Sequence, residues 1–442
     1  MPEIRPFQAL LYNQDKVKDL STVICPPYDV LSPAEQRACY NRSPYNMSRL
    51  LLKNDRRCVD YSHSRKNLID WIDRDVLYRD RQKAIYFYEQ EYTCPANHFL
   101  GPGKTNKRYS VRACLGEKKK REGFISLLKI EDNNGLVHAH EHTHLAPKED
   151  RLELLQQVEA NLSPIFVLFA DKKRVIRRLA DKYASCSPVI DIKEPAGRHR
   201  LWRIDDAVVI DMVRAGVKPV HLFIADGHHR YEVACNFRRQ MHKTVGNGRR
   251  ELSCDYVMTY FTDVGSRGLT ILPTHRVIRR VKAAGLREKL GRYFDIYKAK
   301  DGAELFIMLG RAGRNECVLG MYGKKDGFLL LRLRSDINID DFITLDKPRE
   351  YKRLSTVVLD WLVLGDVFGL DPERPDEKNV FYTNAAARAL EMVDEGQADV
   401  SFFVNPVRME DLMQLALQGE RLPPKTTFFF PKLPSGLTIY KF

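Results

Sequence analysis

The chain has no run approaching the roughly 18 to 20 apolar residues that span a bilayer as a helix. No membrane partner is therefore expected. Its first twenty residues, MPEIRPFQALLYNQDKVKDL, put acids and polar groups where a secretory leader needs an apolar core. The nine cysteines (Cys25, Cys39, Cys58, Cys94, Cys114, Cys186, Cys235, Cys254 and Cys317) are an odd number and form no C-x-x-C pair. This argues against a zinc ribbon or a thioredoxin-type centre and fits reduced thiols in the cytoplasm. The sequence contains no G-x-x-x-x-G-K-[ST], no G-x-S-x-G and no H-E-x-x-H, so a P-loop, a nucleophile elbow and a zincin helix are not indicated. Neither a repeat nor a helix-turn-helix is recognised.

What remains is a packed chain of 442 residues, 44% hydrophobic, with a net charge of +14. That composition excludes general disorder and collagen-like structure, and the length suggests two to three domains. The basic excess is dispersed. Residues 101–122 hold eight cations against two anions, and 276–300 hold nine against two, with smaller excesses at 171–182 and 237–250. Such a spread steers a small anion as well as a duplex. Nucleic acid is not the expected partner, and the oligomeric state is left open.

Strand-like segments are expected at 84–92, 108–116 and 123–130, and a hairpin around Lys324-Lys325-Asp326-Gly327. An amphipathic helix is expected over Val277 to Tyr293. Helix starts are expected at Ser32-Pro33 and Pro147. After residue 345, an apolar helix and a β-α-β-α run follow. The expected fold class is α/β (α+β, mixed sheets). Expected divisions are 1–130, 131–345 and 346–442.

The sharpest chemical signal is FIADGHHRYEVA, Phe223 to Ala234. An apolar strand runs into Asp226-Gly227-His228-His229-Arg230 and a helix begins at once. Free N–H groups at a helix N-terminus favour an anion. Gly227 permits a tight turn, and an arginine fork suits phosphate oxygens. The bland alternative is a capped helix start with polar surface residues.

Four imidazoles alternate in HAHEHTH, at His138, His140, His142 and His144. Alternate residues share one face of a strand, so a metal site and a polar strand edge both fit. Glu141 points the other way. Lys148 and Arg151 lie three apart on one helix face. They can clamp phosphate or pair with Glu149 and Asp150. Tyr28 and Asp29 sit in the rigid PPYDV loop, where aspartate often serves as a turn former. Phosphoryl transfer needs carboxylates to place a hydroxyl or hold Mg²⁺. The candidates inside motifs are Asp226 first, then Glu141 and Asp29.

Two resemblances follow from these residues. IADGHHRYEVA resembles the phosphate-binding strand–turn–helix of the ParB/sulfiredoxin superfamily, with the unit spanning about 195–300. His228 stands where sulfiredoxins carry their reactive cysteine, which argues against sulfinate reduction. Over nearly the whole length the chain resembles the bacterial family called domain of unknown function 1015. That resemblance rests on PPYDVLSPAE, HEHTHLAPKEDRLELLQQVEANLSPIF, ADGHHRYE, LPTHR and PPKTTFFFPKL. The family's recurrent residues in the second motif correspond to His140, Glu141 and Thr143. Its relation to the free-serine kinase of the ParB-like group implies a phosphotransferase using ATP or pyrophosphate, with Mg²⁺ and free serine as the leading acceptor. In that setting Gly227, His228, His229, Arg230, Lys148 and Arg151 would bind phosphate. Tyr28, His140, Thr143, His275, Arg276 and Lys425 would complete the pocket. The alternative is a ParB-like, nucleotide-gated regulatory protein without kinase activity.

Overall fold

The computed structural model describes residues 1–53, 60–95, 116–131, 135–141, 145–245, 251–280, 285–313, 316–373, 376 and 378–442. The larger sheet is built from β1 (Ile4–Arg5), β2 (Ile85–Thr93), β3 (Lys118–Lys129), β4 (Val137–Ala139), β5 (Ile165–Phe169), β6 (Ile190–Glu194), β7 (Gly197–Ile204), β8 (Leu222–Asp226) and β9 (Tyr256–Asp263). Its order is β4-β8-β5-β9-β3-β2-β7-β6, with β1 beside β3. The β4–β8 and β5–β9 pairs are parallel and the rest antiparallel. The mixed α/β class expected from the sequence is therefore what the chain adopts.

Alternation explains why these segments become strands. Tyr86, Tyr88, Ile125, Leu127, Phe166, Leu168 and Tyr260 belong to one buried cluster, and Ile85, Phe87, Phe124, Leu128, Ile165, Val167 and Phe261 to another. Successive side chains enter opposite faces, and both faces are covered. Helices cap themselves as their sequences suggest. Ser32 and Glu35 form a reciprocal capping box on α1 (Pro33–Arg42). The helix expected to open at Pro147 begins two residues earlier, as α2 (Leu145–Val158). On the face of the second cluster lie α3 (Val175–Tyr183) and α4 (Ala207–Val217). The side chain of Asp206 accepts the Val208 and Val209 N–H groups to start α4.

A six-stranded antiparallel sheet follows: β10 (His275–Ile278), β11 (Phe294–Ala299), β12 (Val318–Gly323), β13 (Gly327–Leu333), β14 (Val380–Thr383) and β15 (Val400–Phe403), ordered β11-β13-β12-β15-β10-β14. The β12–β13 hairpin turns at Gly327 with φ 71°. The helix expected over 277–293 does not form. Val277 and Ile278 are wholly buried in β10, between β15 and β14. Gly285, at φ 67°, precedes a short helix, Leu286–Gly291. Tertiary pairing has overridden an amphipathic pattern at its β-branched start, Val277-Ile278. The strand expected at 108–116 lies almost entirely outside the described residues.

Strands from both sides of residue 130 share the larger sheet, and strands from both sides of 345 share the smaller one. The final segment then returns to the first. Phe428–Phe430 pairs with Thr270–Leu272, Ser435 bridges Cys25, Ile439 bridges Leu10, and Tyr440–Lys441 pairs with Ala160–Asn161. This tail bridges Cys25, just before the PPYDV loop, and through Lys432 reaches Asp226 at the end of β8. Among the described residues no helix is long and apolar enough to cross a membrane.

Candidate active site

The strand–turn–helix forms as its sequence suggests. β8 ends at Asp226, Gly227 takes φ 86°, and α5 (His228–Val245) begins at the next residue. A Cβ on Gly227 would stand 3.0 Å from the Arg230 guanidinium. Gly227→Ala is accordingly expected to destabilise the fold by about 1–3 kcal/mol, from the left-handed backbone and that contact together. Urea unfolding measures it. An unchanged midpoint would mean that the turn relaxes.

Asp226 is 6% exposed and both of its oxygens are engaged. Oδ2 accepts from Arg230 Nη2 at 2.6 Å, and Oδ1 accepts from the Lys432 ammonium. Burial works against its charge, but Lys432, Arg230 and the wholly buried Arg121 hold its pKa below the usual carboxylate range. Arg230 also donates to the Pro164 carbonyl.

Lys432 is the node of the site, and its motif had pointed instead to Lys425. Burial opposes its charge, yet Asp226, Asp29 and Glu141 raise its pKa above the ordinary lysine value. Three carboxylates from separate motifs thus favour one ammonium, Asp226 through a hydrogen bond and Asp29 and Glu141 through their charge. Glu141 behaves in the opposite way to Asp226. Burial, reinforced by Asp226, lifts its pKa to about 7, against the backbone N–H of Lys425 and the charges of Lys432 and Lys425. Its residue keeps a partial opening to solvent. Lys425 does join the site, through its backbone: at φ 62° its N–H reaches Glu141 Oε1 at 3.2 Å. Asp29 is exposed on a short 3-10 turn, Tyr28–Val30.

The histidines of the turn divide. His228 faces inward. Its Nε2 lies 3.4 Å from the backbone N of His140, and the two rings meet edge to face at 4.6 Å. Burial pushes His140 down to about 3 and His228 well below its usual value. Both are therefore neutral near pH 7, and His228, expected among the phosphate-binding residues, packs inward against His140. His140 Nε2 is 3.2 Å from Thr427 Oγ1, which ties β4's end to the tail. His229 is half-buried on the first turn of α5.

The expected Lys148–Arg151 clamp is not formed. Arg151 donates to the Leu51 carbonyl at 2.8 Å and to Asp150 at 3.0 Å, and lies 4.2 Å over the Tyr28 ring. With Arg230 and Tyr28 it lines a cavity of about 60 Å³. Lys148 instead pairs with Glu232 at 2.5 Å and faces a separate groove of about 770 Å³. The LPTHR residues also serve elsewhere. Arg276 is wholly buried and forks onto Asp360 at 3.2 and 3.1 Å. His275 packs edge-on against Phe403 at 5.2 Å.

His138 sits 2.8 Å from His221 across the strand pair. Thr143, His142 and His144 lie outside the described residues. Among the described residues no group of three or more His, Cys, Asp or Glu side chains is placed to hold a metal ion. The cysteines described are free thiols.

No curated protein matches the chain. Among solved structures, a free serine kinase in complex with AMP is 14% identical, covering 66% of this chain and 83% of that one, with a TM-score of 0.32. A conserved hypothetical protein from Pyrococcus furiosus is 13% identical over 69% of this chain and 91% of that one, TM-score 0.34. C-terminally truncated SbnI from Staphylococcus aureus is 12% identical over 72% and 87%, TM-score 0.35. The sequence profile described as protein of unknown function (DUF1015) matches residues 4–104 and 96–357, and the chain belongs to that family.

Proposed function

We propose that the chain is a phosphotransferase that moves a phosphoryl group from ATP or pyrophosphate to a small hydroxyl substrate, free serine first. The observation that carries this reading is Glu141, a carboxyl group with a pKa of about 7 that feels the charges of Lys432, Lys425 and Asp226 and accepts the Lys425 N–H. A general base works best when its pKa lies near the working pH. Asp226, expected first for that role, is the poorer base. Its proton affinity is lowered and both oxygens are engaged. It is better suited to hold Lys432 and Arg230 in place.

In the proposed step the substrate oxygen attacks the terminal phosphorus, and its proton passes to Glu141. The bond from phosphorus to the leaving oxygen breaks, and the electron pair leaves with that oxygen. Lys432, Arg230 and the N-terminal turn of α5 offset the negative charge, which is the main demand of phosphoryl transfer. Mg²⁺ is usually held by one or two carboxylates together with substrate phosphates. Asp29, exposed and electrostatically coupled to Lys432, fits that sparse donor set.

Incubation with serine, Mg²⁺ and either ATP or pyrophosphate tests the reading, with phosphoserine followed by mass spectrometry. Phosphoserine should accumulate with at least one donor. None from a folded sample would sink the serine version. No donor consumption with any of a panel of small alcohols would sink phosphoryl transfer itself.

A further inference from the structure

Arg121, on β3, is wholly buried within the larger sheet. It stands opposite Gln90 of β2 in the strand register. Its guanidinium lies 4.7 Å from the centre of the Phe166 ring and 5.8 Å from that of Tyr260. Nη2 donates to Gln90 Oε1 at 2.5 Å and to the Pro431 carbonyl at 2.7 Å, both neutral acceptors. Nε and Nη1 meet no acceptor among the described residues. A buried cation whose hydrogen bonds all go to neutral groups weakens a fold more readily than it stabilises one, and an apolar side chain of similar length would fill the same space. Packing of the sheet alone therefore gives no reason for an arginine here.

What the arginine holds is the entry to Lys432. The tail strand Phe428–Phe430 ends immediately before Pro431, and the tail next bonds through its backbone where Ser435 meets Cys25. Within residues 431–434, Pro431 and Pro434 have no N–H to give. Among the described residues, the Arg121 bond to the Pro431 carbonyl is the one hydrogen bond made by the backbone of that segment. Lys432 follows the tied carbonyl directly and donates to Asp226 Oδ1. Arg121 acts on the receiving end as well. Against the burial of Asp226, the charges of Lys432, Arg230 and Arg121 keep its pKa low.

We propose that Arg121 is a positioning residue of this site, fixing the Pro431 carbonyl so that the Lys432 ammonium meets Asp226 at the end of β8. Its consequence for turnover rests on the phosphotransferase reading, whereas the placing of Lys432 does not. With the tie cut, residues 431–434 are left to side-chain packing alone, and local opening becomes easier. An opened segment carries Lys432 away from Asp226. With it goes a charge proposed to offset the phosphoryl group in transfer.

Lysine acylation of the intact chain, followed by mass spectrometry, tests the placing without turnover. Arg121→Met removes the charge and the donors. Arg121→Lys keeps a cation able to donate to the Pro431 carbonyl. Circular dichroism shows that each variant is folded. In the native chain Lys432 should react slowly, since it is bonded to Asp226 and its side chain is 13% exposed. In Arg121→Met it should react about tenfold faster or more, the scale of losing one hydrogen bond to a charged group. The exposed Lys218 serves as the internal standard and should not change. Arg121→Lys should fall between the two, and phosphoserine turnover should drop and recover in the same order. If Arg121→Met fails to fold, Arg121→Gln, uncharged but able to bond Gln90, takes its place with the same expectation. Labelling of Lys432 at the native rate in the uncharged variant would overturn the proposal. So would labelling in Arg121→Lys as fast as in the uncharged variant, because lost packing would then be what loosens the tail. Faster labelling with undiminished turnover would confine Arg121 to the fold and overturn its role in the site. Labelling in the expected order, with no donor consumed even by the native chain, would leave the placing of Lys432 standing and remove the phosphotransferase reading.

Discussion

Glu141→Gln is expected to slow phosphoryl transfer by about a hundredfold or more, the range over which a positioned general base contributes. It should also change the shape of the pH profile. In the native chain the carboxyl has a pKa of about 7. Below that pH it is protonated and cannot accept the substrate proton, so the rate should climb as pH rises through about 7 and then level off. The glutamine variant keeps the size and the acceptor facing the Lys425 N–H, but it has nothing to titrate. Its residual rate should lack that limb. The cause of the raised pKa is burial, with Asp226 adding repulsion, so the limb should move to lower pH in Asp226→Asn. Rates measured across pH 5 to about 9 for the three proteins decide the matter. A limb near 7 that survives in Glu141→Gln would place the base elsewhere.

The way the site is assembled explains which parts of it were legible in the sequence. Asp226, Gly227 and Arg230 are consecutive or nearly so, and their geometry follows from a strand, a turn and a helix in immediate succession. Local rules suffice there. Glu141 was visible because it lies next to a histidine alternation, but its raised pKa depends on what covers it, including a lysine backbone 284 positions away along the chain. Lys432 was the residue missed. It stands in a recognised motif, yet its partner is 206 positions distant, and only the return of the tail across the larger sheet brings the two together. The PPKTTFFFPKL stretch did offer a signal. Phe428–Phe430 alternates as a strand, and a lysine two residues beyond it is carried wherever that strand pairs. The inward placement of His228 was hidden for a related reason. A histidine at the first helical position faces either solvent or core, and here His140 and the tail close over it. The helix expected over 277–293 shows the limit of periodicity itself. A pattern compatible with a helix is taken up by a central strand position whose two pairing partners, β14 and β15, lie over 100 residues further on.

Arg276→Met carries the second large effect, and it falls on stability. Arg276 and Asp360 are buried in the smaller sheet's core, joined by two hydrogen bonds at 3.2 and 3.1 Å, with Arg276 also donating to the Thr274 carbonyl at 2.5 Å. A broken buried pair leaves its partner charged and desolvated, a loss of about 3–5 kcal/mol. Burial already raises the Asp360 pKa despite the guanidinium beside it. Without Arg276 the aspartate's proton affinity rises further. A carboxyl whose folded pKa exceeds its unfolded one favours the fold below the unfolded pKa and loses that contribution as pH rises through the folded one. The variant should therefore be weakest near neutral pH and regain part of its stability in mild acid, the reverse of what loss of a surface ion pair would do. Urea unfolding at two pH values measures both statements. Replacing both partners, as Arg276→Met with Asp360→Leu, should recover most of the loss, since an apolar pair of similar volume leaves no charge stranded. A different result would return Arg276 to the pocket in which its sequence motif had placed it. If Arg276→Met abolished binding of ADP or serine while the unfolding midpoint stayed where it was, the arginine would be acting on ligand and the ion pair with Asp360 would be incidental. The buried fork onto Asp360 predicts the other outcome: a weaker fold with unaltered affinity in the fraction that remains folded.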